Sequence, residues 1–97
     1  MEDLVYYNDL YDIYSLLLTD KQREYFEDYY FNNLSFSEMA ENYEVSRNAI
    51  FKQIHIVTDK LQEYESILKL HEKRKKLEEI IKNCDNLELK NLLEELI

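Results

Sequence analysis

Arg47, Asn48, Phe51, Lys52 and His55 recur at the spacing of one helix face, with Ser46 directly ahead of them. Arg, Asn and Lys donate to phosphate oxygens or base edges, so this face has the chemistry of a nucleic-acid contact. A second basic group follows at Lys69, Lys73, Arg74, Lys75, Lys76 and Lys82, diluted by Glu72, Glu78 and Glu79. Within it Lys73, Arg74 and Lys76 are the candidate contacts to the phosphates of DNA or a structured RNA. Both groups also have a plainer reading as solvated helix charges joined in pairs three or four residues apart. Phe51 reads either as a contact with a neighbouring helix or as a stacking ring for a base.

Other reactive residue types are sparse. His55 and His71 read as surface residues, and neither has a second ligand at metal spacing. Cys84 is the single cysteine, which excludes an internal disulfide; it reads as a buried or half-buried thiol with no His/Asp partner. The sequence holds no Gly-rich phosphate loop and no credible triad, and its carboxylates are scattered. A chain of 97 residues also leaves little room for a deep pocket. The expectation is a protein that is not an enzyme and uses no cofactor or metal.

The elements that would hold the basic face follow from composition. There is no Gly and no Pro, while 45% of the residues are hydrophobic. Hairpin turns need positive φ, which falls mostly to Gly or Asn, so a β-rich fold is disfavoured. The fold class is therefore all-α. Leu4, Tyr7, Tyr11, Tyr14 and Leu18 predict a first helix over 4–18, with Leu10, Leu16 and Leu17 broadening its stripe. Thr19 with Gln22, and Ser35 with Glu38, have the capping-box pattern and open the second and third helices. Asn32-Asn33 ends the second, and the third is short, about 36–43.

Residues 36–55 then have the layout of a helix-turn-helix. Ala40 is the small residue where the next helix presses close, and Glu44 is the turn. Val45 plugs the corner, Ser46 caps the fourth helix, and Ile50 packs inward. Ile50, Ile54, Val57, Leu61, Tyr64 and Leu68 form one stripe to about residue 67. The pattern is also compatible with an unbroken helix to residue 82. After Asn83-Cys84-Asp85-Asn86 a last helix spans 87–97. The expectation is a single domain over 1–97, a helix-turn-helix core at 1–67 with a helical extension at 68–97.

Charge divides unevenly. Residues 1–45 hold 11 acids and two bases, for −9; residues 46–97 balance to zero; residues 46–82 alone carry +3. Any nucleic-acid contact must come from the second half, because the first would repel phosphate. No apolar run nears 18 residues, and the acidic start MEDLVYYND does not read as a signal or transit peptide, so the expected location is cytoplasmic. Tyr6, Tyr7, Tyr11 and Tyr14 cover more than one side of their helix, which reads as a self-association or partner surface, or else as a wrapped core. The leucines of the last helix make a homodimer expected.

The stretch LTDKQREYFEDYYFNNLSFSEMAENYEVSRNAIFKQI resembles the last promoter-binding region of bacterial sigma factors. It is closer still to the small YlxM-like proteins, whose namesake gene lies beside those of the signal recognition particle. LTDKQ at 18–22, the aromatic cluster at 25–31, VSRNAI at 45–50 and KLQEYE at 60–65 carry the likeness, which covers about residues 4–70. The resemblance implies a DNA-binding-like helical fold and a regulator linked to the signal recognition particle pathway. Its partners would be DNA, the particle's RNA or a protein of that pathway. It also implies recognition-helix positions at Ser46, Arg47, Asn48, Phe51 and Lys52. Three residue features depart from a typical DNA reader: Glu44 where a turn Gly is usual, Phe51 outward, and only Arg47 and Lys52 as firm charges on the helix. A protein-interaction module that keeps the fold without binding DNA is the alternative.

Overall fold

The computed structural model describes residues 4–97, all of whose regular elements are helical; the first three residues of the acidic start lie outside them. The order is α1 (Leu4–Tyr14), α2 (Asp20–Phe26, running on as a π-helical turn Glu27–Phe31), α3 (Phe36–Tyr43), α4 (Arg47–Leu68), α5 (Leu70–Lys82) and α6 (Leu87–Glu94).

The longest helix, α4, organises the rest. Ile50, Ile54, Val57 and Leu61 are all buried on one face of it. Burying a side chain of this size contributes about 1.5–3 kcal/mol, so this face outweighs any local propensity. Val57 and Leu61 pack with Leu10, Tyr11, Tyr14, Leu18 and Phe26. Ile50 and Ile54 pack with Tyr25, Met39 and Ala40. Tyr30 touches both clusters and joins them.

The caps form where the sequence places them. Thr19 and Gln22, then Ser35 and Glu38, exchange reciprocal hydrogen bonds of 2.9–3.1 Å. Hydrogen bonds from Ser35 hold the Glu38 carboxyl below the usual carboxylate range. With no glycine available, three joints use positive φ at other residues: Asn33 (56°), Glu44 (56°) and Lys69 (54°). Asn accepts this conformation readily, whereas at Glu and Lys it costs about 1 kcal/mol each.

Several expectations are corrected. The first helix stops at Tyr14, not residue 18, and continues as a single 3-10 turn, Ser15–Leu17. The Arg23 guanidinium takes the carbonyls of Ser15 and Leu18 at 3.1 and 2.8 Å and fixes that end. Leu16 and Leu17 consequently face solvent, as does Leu68 in the α4 stripe. The unbroken helix to residue 82 does not form, because Lys69 breaks it. The last helix ends at Glu94. His71 is buried, not a surface residue: its ring stands edge-on to Tyr6 (5.3 Å) and its Nε2 lies 3.4 Å from Asp9 Oδ2.

The N-terminal tyrosines take the second of their two readings, the wrapped core. Tyr11 and Tyr14 are buried and Tyr6 and Tyr7 pack on the same cluster, so the N-terminal set wraps the core and is not a free surface. Their hydroxyls reach the rim. Tyr11 donates to Glu27, Tyr43 to Asp28, and Tyr14 to Glu65 Oε1 at 2.7 Å. Much of the acidity near the aromatic cluster is thus committed to phenols. Burial first, and then the neighbouring carboxylate, push the Tyr11 and Tyr43 hydroxyls well above 10. Burial, with Tyr7 and Tyr29 adding, pushes Tyr30 up to about 12. A phenol whose pKa is raised by folding stabilises the fold fully below the unfolded value, and that contribution is lost as pH rises through the folded value. Absorbance at 295 nm should therefore show Tyr11, Tyr30 and Tyr43 ionising above 10, the ordinary phenol value, with helical circular dichroism falling from about pH 10 to 12. One step near pH 10 with intact helix would contradict this packing.

Candidate nucleic-acid interface

The turn between α3 and α4 is built by backbone, with one strained residue. Glu44 adopts φ 56°, ψ 43°, and the Val45 amide donates to the Ala40 carbonyl at 3.0 Å, closing the end of α3. Val45 was expected to plug the corner; its side chain is 42% exposed, and that backbone bond does the closing instead. Ser46 Oγ accepts from the Ala49 amide at 3.1 Å and opens α4. Ala40 is buried and Ile50 fully so, which brings α3 and α4 together as expected.

This geometry leaves Ser46, Arg47, Asn48, Phe51, Lys52 and His55 exposed together. Among the described residues Arg47 and Lys52 have no ion-pair partner. Phe51 makes the contact with a neighbouring helix. Its ring leans edge-on toward Phe36 of α3 at 6.0 Å and toward His55 at 4.4 Å, yet it stays 47% exposed. A shallow groove of about 510 Å³ runs between Phe36, Ser46, Arg47, Asn48 and Phe51. Phe36 is the member that sequence reasoning missed; its signal was its place directly after the Ser35 cap, in the first turn of α3.

The remaining candidates stand elsewhere. Arg47 and Lys69 lie at opposite ends of α4, about 33 Å apart along its axis. Lys73, Arg74 and Lys76 follow on α5, which packs against α1 and α6. Arg74 pairs with Asp12 (3.6 Å) and Lys76 with Glu72 (3.6 Å), whereas Lys73 is exposed without an ion pair among the described residues. Cys84 is half-buried, its Sγ 3.5 Å from the Asn86 carbonyl. Among the described residues no group of three His, Cys, Asp or Glu side chains could hold a metal ion. No helix there is long and apolar enough to cross a membrane.

Since α4 follows a non-glycine left-handed residue, Glu44→Gly should stabilise the protein by about 0.5–1 kcal/mol in urea unfolding. A loss of stability would show that the turn does not carry that strain.

Comparison with known proteins agrees with this arrangement. The model of the UPF0122 family, described as "Putative helix-turn-helix protein, YlxM / p13 like", matches residues 1–97. A UPF0122 protein of Ureaplasma urealyticum is 46% identical over 87 residues, covering 90% of this chain and 88% of the relative. One from Staphylococcus epidermidis is 42% identical, covering 81% of this chain and 74% of its own length. One from Caldanaerobacter subterraneus is 40% identical, with 86% and 74% covered. A strained turn, a capped second helix with one bare polar face, and a match running the length of the chain place it in one group: the chain belongs to the UPF0122 family of YlxM / p13-like helix-turn-helix proteins.

Proposed function

We propose that this protein is a cytoplasmic regulatory protein that binds nucleic acid through the first two turns of α4 and acts in the signal recognition particle pathway. It is a binding protein and not an enzyme. Residues 1–97 act as one domain, in which 68–97 extend a helix-turn-helix core. The observation that carries the reading is the exposed set Ser46, Arg47, Asn48, Phe51, Lys52 and His55, beside a groove and with neither cation in an ion pair among the described residues. Unpaired cations on one helix face are what a phosphate backbone neutralises. Lys73, Arg74 and Lys76 supply a second, weaker contact. The pathway rests on the likeness to YlxM-like proteins, and the polymer is either DNA or the particle's RNA.

Fluorescence anisotropy with a labelled random duplex and with the small RNA of the signal recognition particle, across a salt series, tests the site. Binding should fall steeply with salt. Arg47→Ala with Lys52→Ala should weaken it and shallow the log–log slope by about 2, at unchanged melting temperature. Equal binding by the double variant would overturn the site.

A second reading, a protein-interaction and dimerisation module, is favoured by α6, which buries none of its own residues. Leu89 and Leu92 are exposed on it, and Leu96 just beyond its end is exposed too, as are Glu88 and Glu95. On α5 the exposed Ile80 stands one and two helical turns from Lys76 and Lys73. Laid across a twofold axis, α6 of one copy would set its leucines and acids on the Ile80 face and lysines of the other. Such a homodimer would hold two helix-turn-helix units for paired sites about one DNA turn apart. Sedimentation velocity should show a dimer that Leu92→Glu converts to monomer. A monomeric parent protein, or a variant that stays dimeric, would refute this surface.

A further inference from the structure

The break between α4 and α5 has no local cause. Leu68, Lys69 and Leu70 are all good helix formers, with no Gly, Pro or Asn among them. Even so, Lys69 sits at φ 54°, ψ 32°. The other two positive-φ joints have sequence signals beside them, Asn33 by its own type and Glu44 by the Ser46 cap that follows.

Tertiary contacts supply what the local sequence lacks. The first three amides of α5 all find acceptors outside the helix. Leu70 N–H donates to the Tyr14 hydroxyl at 3.1 Å. His71 N–H donates to Glu65 Oε1 at 3.0 Å, and Glu72 N–H to Glu65 Oε2 at 3.1 Å. Tyr14 in turn donates to Glu65 Oε1 at 2.7 Å. One phenol from α1 and one carboxylate from α4 therefore cap α5 completely. Burial alone would raise the Glu65 carboxyl, but these hydrogen bonds outweigh it and hold the group below the usual carboxylate range.

We propose that the Lys69 joint is a two-position hinge, with the Tyr14 hydroxyl and the Glu65 carboxylate as its latch. The same three amides have a second set of acceptors ready: in a continuous helix they would bond the carbonyls of Ser66, Ile67 and Leu68. Helical bonding already flanks the joint, with Lys69 N–H on Glu65 O at 2.8 Å and Lys73 N–H on Lys69 O at 3.0 Å. At the joint itself only three backbone hydrogen bonds need to change partners. Ile67, Leu68 and Leu70 are exposed, so the packing that release gives up lies beyond the joint, where His71 is buried against Tyr6 and Ile81 is buried on α5.

Latched, α5 lies against α1 through Asp9–His71, Asp12–Arg74 and Tyr6–His71. Released, residues 47–82 form one rod of about 54 Å and α5–α6 swing away from α1. The helix-turn-helix is untouched, because the buried members of both core clusters lie on residues up to Leu61. The hinge sets where the apolar face of α6 stands relative to the recognition helix. It does not depend on nucleic-acid binding.

Distance measurement by pulsed electron spin resonance tests it, with labels on the native Cys84 and on Asp59→Cys, an exposed α4 position. A straight rod puts about 35 Å between residue 59 and its end at Lys82, two residues before Cys84, and any bend shortens the separation of the labels. The parent protein should show mainly the short distance. Tyr14→Phe with Glu65→Gln should raise the long population about tenfold relative to the short one, since it removes hydrogen bonds to a charged group. Lys69→Val, at an exposed site, should shift the same way, because a β-branched residue resists positive φ. Lys69→Gly should deplete the long distance. If the latch variant does not fold, the two Lys69 variants decide. Only the short distance in Lys69→Val, or populations indifferent to residue 69, would overturn the hinge.

Discussion

Burial of Ile50, Ile54, Val57 and Leu61 along one face of α4 is the contact on which the other helices depend. A chain this short buries limited surface, so it cannot sustain two independent cores. One 22-residue helix serves both clusters: α3 with Tyr25 closes one end, and α1 with Leu18 and Phe26 closes the middle. The aromatic side chains gathered at 25–31 fill the volume between. Tyr30 stacks on Phe26 at 4.4 Å, and Phe26 on Tyr11 at 4.3 Å.

That packing explains much of the acidity near the aromatic cluster. Buried tyrosine needs a partner for its hydroxyl, and Glu27, Asp28 and Glu65 provide acceptors at the rim. Charges that look like a field when counted along the chain are partly structural. The bare cations of α4 stand at the opposite chemical extreme: Arg47 and Lys52 have no such partner among the described residues, and their face stays open. Commitment of acids to phenols on one side and freedom of bases on the other is the physical contrast that marks the proposed interface.

Without glycine, two of the three positive-φ joints among the described residues are stabilised from outside the turning residue. At Asn33 the residue type suffices. At Glu44 the Val45 amide and the Ser46 cap secure the turn. At Lys69 the securing groups come from α1 and from one turn earlier in α4. The distance in sequence between a strained residue and its support grows from joint to joint, and with it the scope for the joint to move.

What the sequence determined by itself is whatever depends on neighbours within four residues. The absence of Gly and Pro, the two capping boxes, the Asn33 and Ser46 boundaries and the outward set from Arg47 to His55 follow from local hydrogen bonding and helix period, and the structure has them where the residues place them. Tertiary structure decided whatever required a partner more distant in the chain. Arg23 ends α1, the carboxylates hold the phenols, and Asp9 with Tyr6 draws His71 inward. Tyr14 meets Glu65 across 51 residues to stop α4 where its own periodicity would have let it run on. Helix propensity is worth only a fraction of a kcal/mol per residue, whereas three capped amides and a packed ring are worth several times that; wherever the two compete, the distant contact wins.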